Sequence, residues 1–189
     1  FLLFSVIYGD AETIRDTVAL LLRYSRYIEL FPSEYIHIGG DEASKSSWRD
    51  CPACQKRMKD EKLSDVNELQ SYMIGRITEY LASKGRKAIG WDEIMEGGNR
   101  NDTAVMCWHE NEKGIEAADA GHEVVMCPYE YFYLDKYQNA FNHEPYAVTG
   151  YNTLENVFSY KMPVSANIIG VQGNLWSEYI ILDEQYEYM

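Results

Sequence analysis

The sequence predicts an α/β protein built on a parallel sheet that is covered on both faces. Three observations carry this. Short apolar runs alternate along the chain with stretches of helical periodicity. The runs are apolar throughout rather than at every second residue, which is the pattern of strands buried on both sides. Hydrophobic residues make up 46% of the 189, enough for one domain-sized core, and this excludes intrinsic disorder.

The elements follow in order. Residues 11–30 place Ile14, Val18, Leu21, Leu22 and Ile28 on one helical face, and Pro32 ends that helix. Tyr35-Ile36-His37-Ile38 is the first strand. Residues 65–84 align Val66, Leu69, Met73, Ile77, Tyr80 and Leu81 in one stripe, with Ser64 as N-cap and Gly85 as the stop. Residues 87–90, 104–107, 124–127 and 167–171 are four further strands. Short helices are expected at 114–120 and 153–159, and a last one begins near Asp183. Five strands satisfy an open doubly wound sheet and equally a part of an eight-stranded barrel, and the pattern does not choose between them.

Charge narrows the partners. The formal net charge is -13, from 30 acidic and 17 basic residues. Such a surface repels phosphate backbones and anionic lipid, so nucleic acid and membrane surfaces are excluded as partners. A neutral sugar meets no such repulsion. No apolar run is long enough to span a bilayer, and the opening Phe1-Leu2-Leu3-Phe4-Ser5-Val6-Ile7-Tyr8 lacks the basic flank of a signal peptide. Cys51-Pro52-Ala53-Cys54 has no second pair or His pair to complete a zinc site. It reads as two loop thiols, with a redox pair or a local disulfide as alternatives. Cys107 and Cys127 read as small core residues.

The chemistry gathers at the strand ends. The five strands lead, in turn, into Gly39-Gly40-Asp41-Glu42, Trp91-Asp92-Glu93, Trp108-His109-Glu110, a run holding Tyr129, Tyr131, Tyr133 and Asp135, and Asn174-Leu175-Trp176-Ser177-Glu178. In parallel α/β proteins ligands bind at the carboxyl ends of the strands, so these five ends describe one pocket. Its residue types suit a sugar. Trp and Tyr cover the C–H faces of the ring, and carboxylates accept hydrogen bonds from the hydroxyl rim. Glycosidic cleavage needs a protonated carboxyl at the leaving oxygen and a second group to stabilise positive charge at the anomeric carbon. Adjacent carboxylates help, because one negative charge raises the proton affinity of the other. An arbitrary Asp-Glu pair is ordinarily a solvated surface pair, but Gly39-Gly40 ahead of Asp41-Glu42 permit tight turning and close approach. Asp92-Glu93 stands in an equivalent position, and residue chemistry alone does not rank the two pairs. His37, at mid-strand, reads as a hydrogen-bonded core residue rather than a general base. A metal-dependent hydrolase using Asp41, Glu42 and His37 is a weaker reading, and a non-catalytic sugar-binding or scaffold fragment is the alternative from another class.

His37-Ile38-Gly39-Gly40-Asp41-Glu42 resembles the signature of glycoside hydrolase family 20, the β-N-acetylhexosaminidases. Gly90-Trp91-Asp92-Glu93, Trp108, Tyr133-Leu134-Asp135-Lys136-Tyr137-Gln138 and Gly173-Asn174-Leu175-Trp176-Ser177-Glu178 resemble its later motifs in the same order. The similarity runs from about residue 30 to the end. It implies a partial (β/α)8 TIM barrel, about strands four to eight with their helices, so that residues 1–189 form one incomplete catalytic domain. Strands one to three and the end of the last helix have no counterpart. The resemblance also implies hydrolysis of terminal β-linked N-acetylglucosamine or N-acetylgalactosamine by a retaining mechanism in which the substrate's 2-acetamido oxygen is the nucleophile. By the match, Glu42 is the general acid and then base, Asp41 holds the acetamido N–H, and Tyr133 donates to its oxygen. Trp91, Trp108 and Trp176 enclose the sugar, Asp135 and Glu178 bind outer hydroxyls, and His37 is counted with these substrate-binding residues. Asp92-Glu93 becomes supporting structure. No metal or organic cofactor is implied, and an extracytoplasmic location is favoured. The open sheet edges would need the missing barrel half or self-association to cover them.

Overall fold

A computed structural model describes residues 17–98, 102–139, 144–180, 183 and 187, with the side chains of 17–23 outside the description. The opening octapeptide and the first part of the 11–30 helix therefore lie outside the described residues, as does most of the last helix, of which Asp183 and Glu187 are helical. Helix α1 (Thr17–Leu30) leads to strand β1 (Tyr35–His37), then helices α2 (Ser46–Asp50), α3 (Pro52–Glu61) and α4 (Val66–Ser83). Strand β2 (Lys87–Trp91), a 3-10 turn (Asp92–Met95), strand β3 (Thr103–Cys107), helix α5 (Asn111–Asp119) and strand β4 (Val124–Met126) follow. Helix α6 (Tyr129–Phe132), the short strands β5 (Lys136–Tyr137) and β6 (Val148–Tyr151), helix α7 (Leu154–Ser159) and strand β7 (Ile168–Val171) complete the order. No helix among the described residues is long and apolar enough to cross a membrane.

The main sheet is parallel throughout, with strand order β1-β2-β3-β4-β7. Its order never reverses, whereas a doubly wound sheet must reverse at a switch point. Each new strand is added on the same side, as in the wall of a barrel. The two faces divide the core with the period of two expected of strands. Ile36, Ile38, Ala88, Val105, Cys107, Val124 and Met126 face Leu69, Met73, Ile77 and Leu81 of α4 and Ala117 and Ala118 of α5. Ile89, Trp91, Ala104, Met106 and Cys127 form a second cluster on the opposite, inner face, with Phe132. On edge strand β7, Ile169 is 50% and Val171 49% exposed. Apolar side chains left this open sit at an incomplete sheet edge.

Two local expectations are corrected. The cap of α4 is Asp65 rather than Ser64. Its Oδ1 accepts from the amides of Asn67 (2.8 Å) and Glu68 (2.9 Å), and Glu68 reaches back to the Ser64 amide. A carboxylate also complements the positive helix N-terminus, which a hydroxyl does not. Cys51-Pro52-Ala53-Cys54 is a helix start rather than a loop. Pro52 takes the first helical position, where its missing N–H costs nothing, and neither cysteine is in a disulfide, with Cys54 fully buried. Gly85 ends α4 in the left-handed conformation (φ 70°), as expected.

Candidate active site

The loop after β1 is pinned at Gly39, Gly40 and Glu42. The Gly39 carbonyl accepts from the Trp91 amide (3.0 Å), and the Gly39 amide donates to His37 Nδ1 (3.1 Å). The Gly40 carbonyl accepts from the buried Gln70 amide (3.0 Å). Gly39, Gly40 and Glu42 have φ of 73°, 106° and 46°. A Cβ on Gly40 would come within 2.3 Å of Ile94 Cγ2, so this turn needs glycine for both its dihedral and its space. Glu42 occupies the left-handed region with a full side chain, a strain on the order of 1–3 kcal/mol. Its amide is restrained by Glu93 Oε1 at 3.3 Å. The loop thus turns Asp41 inward and half-buried, and leaves Glu42 exposed beside a cleft of about 250 Å³ lined in part by Lys45, Gln70, Glu93 and His109.

Aromatic rings wall the same strand ends. Trp91 packs against His37 (5.0 Å between centroids) and Trp176 (5.9 Å). Tyr133 lies 5.8 Å from Trp176 and 6.3 Å from Trp108, nearly parallel to the latter. An isolated parallel bridge between Tyr133 and Asn174 sets the positions of Tyr133 and Trp176. Burial chiefly pushes the Tyr133 phenol above its usual range, with Cys127, Asp135 and Asp41 adding negative pressure. Asp41 is likewise raised, first by burial, then opposed by its own backbone amide, with Glu42 adding to the rise. Asp135 is almost fully buried and raised mainly by burial, with Glu178 contributing, and exposed Glu178 lies at the rim. The structure therefore brings Asp41, Tyr133, Asp135, Trp91, Trp108 and Trp176 to one face, with Glu42 and Glu178 at its edge.

His37 lies beneath this wall, 6% exposed, and burial lowers its pKa to about 4. Because the folded pKa is below that of the unfolded chain, the unfolded state takes up a proton first as pH falls. Stability is lost from the ordinary histidine range near 6.5 down to about 4. His37→Asn keeps an acceptor for the Gly39 amide without a titrating group. In the full protein it should flatten the decline of stability over that window by up to about 3 kcal/mol, measured by denaturant unfolding at stepped pH.

A family model for the catalytic domain of glycosyl hydrolase family 20 matches residues 20–189.

The chain belongs to glycosyl hydrolase family 20.

A β-hexosaminidase of Porphyromonas gingivalis is 44% identical over 167 residues, which is 84% of this chain and 22% of that protein. One from Vibrio furnissii is 31% identical over 85% of this chain and 28% of its own length. The structure of a Vibrio harveyi family 20 exo-β-N-acetylglucosaminidase in complex with N-acetylglucosamine superposes with a TM-score of 0.82 and 28% identity, covering 93% of this chain and 29% of that one. The chain thus spans between about a fifth and a third of the length of these relatives. Its singly wound sheet is a partial family 20 (β/α)8 barrel, strands four to eight.

Among the described residues, the cluster with metal-ligand spacing is Asp92, Glu93 and His109 rather than Asp41, Glu42 and His37. Four of its atoms have partners within the protein, while Asp92 Oδ1 is buried without a hydrogen-bond partner. His109 Nδ1 is 2.8 Å from Asp92 Oδ2, and Glu93 binds Glu42 and Trp108. The direct tie from Glu93 to Glu42 is what strand-end chemistry did not single out. The signal for it was the second Asp-Glu pair at the neighbouring strand end.

Proposed function

We propose that the protein carrying this chain is an exo-acting β-N-acetylhexosaminidase that hydrolyses terminal β-linked N-acetylglucosamine or N-acetylgalactosamine with retention. The observation that carries the reading is Asp41 turned inward toward Tyr133 while the adjacent Glu42 faces open space. One acid then serves the 2-acetamido group and the other the leaving oxygen. Asp41 accepts the acetamido N–H and balances the positive charge that grows on the ring and acetamido group. Tyr133 donates to the acetamido oxygen and aims it at the anomeric carbon. Attack by that oxygen breaks the glycosidic bond as Glu42 protonates the departing oxygen, giving an oxazolinium-type intermediate. Glu42, now a carboxylate, takes a proton from the water that opens it. Trp91, Trp108 and Trp176 enclose the sugar, Asp135 and Glu178 bind its outer hydroxyls, and His37 supports Trp91 and the loop. Because the substrate supplies the nucleophile, no metal or organic cofactor takes part.

The half-exposed apolar side chains of edge strand β7 support a second expectation, that residues 1–189 alone are inactive. A chromogenic β-N-acetylglucosaminide tests both. The full protein should release the chromophore and residues 1–189 should not. A full protein that binds the sugar without cleaving it would favour the non-catalytic alternative.

A further inference from the structure

We propose that Glu93 is a positioning residue for the acid step, its single carboxylate tying the backbone of Glu42 to the ring of Trp108. The proposal rests on the reading of Glu42 as the general acid.

Glu93 Oε1 accepts from the Glu42 amide at 3.3 Å, and Oε2 accepts from Trp108 Nε1 at 3.0 Å. The two donors come from different strand ends, after β1 and after β3, and Glu93 itself follows β2. One side chain therefore spans three adjacent strands. The Glu42 end is where restraint matters most. A non-glycine residue at φ 46° relaxes toward ordinary backbone unless it is held. Relaxation would swing the Glu42 carboxyl away from the leaving oxygen. The Trp108 end is braced in turn. His109 lies 3.9 Å from the Trp108 ring, and its Nδ1 is 2.8 Å from Asp92 Oδ2, whose carboxyl is buried at the base of the same turn. Acid and aromatic wall thus share one anchor, so a sugar seated against Trp108 meets an acid already in register.

Only a carboxylate of this length performs the task. Glutamine has the same shape but offers one acceptor and one donor, so one of the two N–H groups would face another N–H. Aspartate keeps the charge but is one methylene too short to span both. Glu93→Gln and Glu93→Asp in the full protein should each lower kcat roughly tenfold to a hundredfold on a β-linked N-acetylglucosamine disaccharide, as expected when a charge-assisted hydrogen bond to a preorganised group is lost. By kcat/KM, which reports the bond-breaking step alone, an aryl glycoside whose phenol leaves without protonation should be little affected, because that step then needs no acid even though Glu42 still serves as base afterwards. A merely structural role would slow both substrates alike. The deciding variant is Glu42→Gln/Glu93→Gln, assayed on the disaccharide. If Glu93 acts through Glu42, the double variant is no slower than Glu42→Gln. Losses that multiply would overturn the role of Glu93 while leaving Glu42 as the acid. So would Glu93→Asp with native turnover on the disaccharide. A Glu42→Gln protein with native turnover would instead overturn the acid assignment, and this proposal with it.

Discussion

Glu42→Gln in the full protein should lower turnover of a natural disaccharide substrate by roughly 10²–10⁴-fold, while binding of the uncharged product N-acetylglucosamine stays near native. The substitution keeps shape and hydrogen-bonding capacity and removes only the transferable proton. Glu42 is exposed at the rim, so little packing is disturbed. The loss then belongs to the transition state, where the leaving oxygen must gain a proton as its bond breaks. Steady-state kinetics with a product-binding titration checks this. A loss below about tenfold would remove Glu42 from the acid role, since general acid–base help is worth at least an order of magnitude more.

Asp41→Asn should lower kcat by on the order of 10²-fold or more, as when a preorganised electrostatic partner is removed. Asparagine retains the size of the side chain and one carbonyl acceptor but not the charge that balances the developing cation. The native pH profile should also carry its mark. Burial first, and then the charge of Glu42, hold the Asp41 carboxyl above the usual range. Asp41 must be ionised to work, so activity should fall on the acid side at a higher pH than an ordinary carboxylate would give. That limb should vanish in Asp41→Asn.

Much of this arrangement was legible in the sequence. The five strands were readable because each is a short apolar run with no competing period, and all five lie in one parallel sheet. The helix at 66–83 was readable because Leu69, Met73, Ile77 and Leu81 sit on one face, and these four are indeed buried. Helices α2 and α3 escaped because their apolar content is slight. Trp48 is the one buried residue of α2 and Cys54 the one of α3, so neither carries a periodic stripe. Barrel against open sheet was not readable, since winding direction depends on which side each strand is added, and periodicity carries no such information. The family resemblance supplied it, and the unreversed strand order agrees.

At the site, strand-end placement brought the aromatic and acidic positions into view, but not their division of labour. Asp41-Glu42 and Asp92-Glu93 are the same dipeptide in equivalent places. The structure separates them by backbone geometry. After β1, glycines at φ 73° and 106° turn one acid inward and one outward. After β2, a 3-10 turn buries Asp92 against His109 and points Glu93 back at Glu42. Such distinctions lie in dihedral angles and three-dimensional neighbours, which a dipeptide does not encode.

Substrate assistance by the acetamido group is tested most directly by pairing Asp41→Asn with a substrate bearing a 2-hydroxyl in place of the 2-acetamido group, and measuring kcat/KM for all four combinations in the full protein. The hydroxyl substrate should already be slow with the native enzyme. For that substrate Asp41→Asn should do little further harm, because the N–H it would have held is absent. Strong coupling between the two changes is the predicted result. If the two losses simply multiply, Asp41 acts independently of the acetamido group, and the mechanism proposed for this site is contradicted.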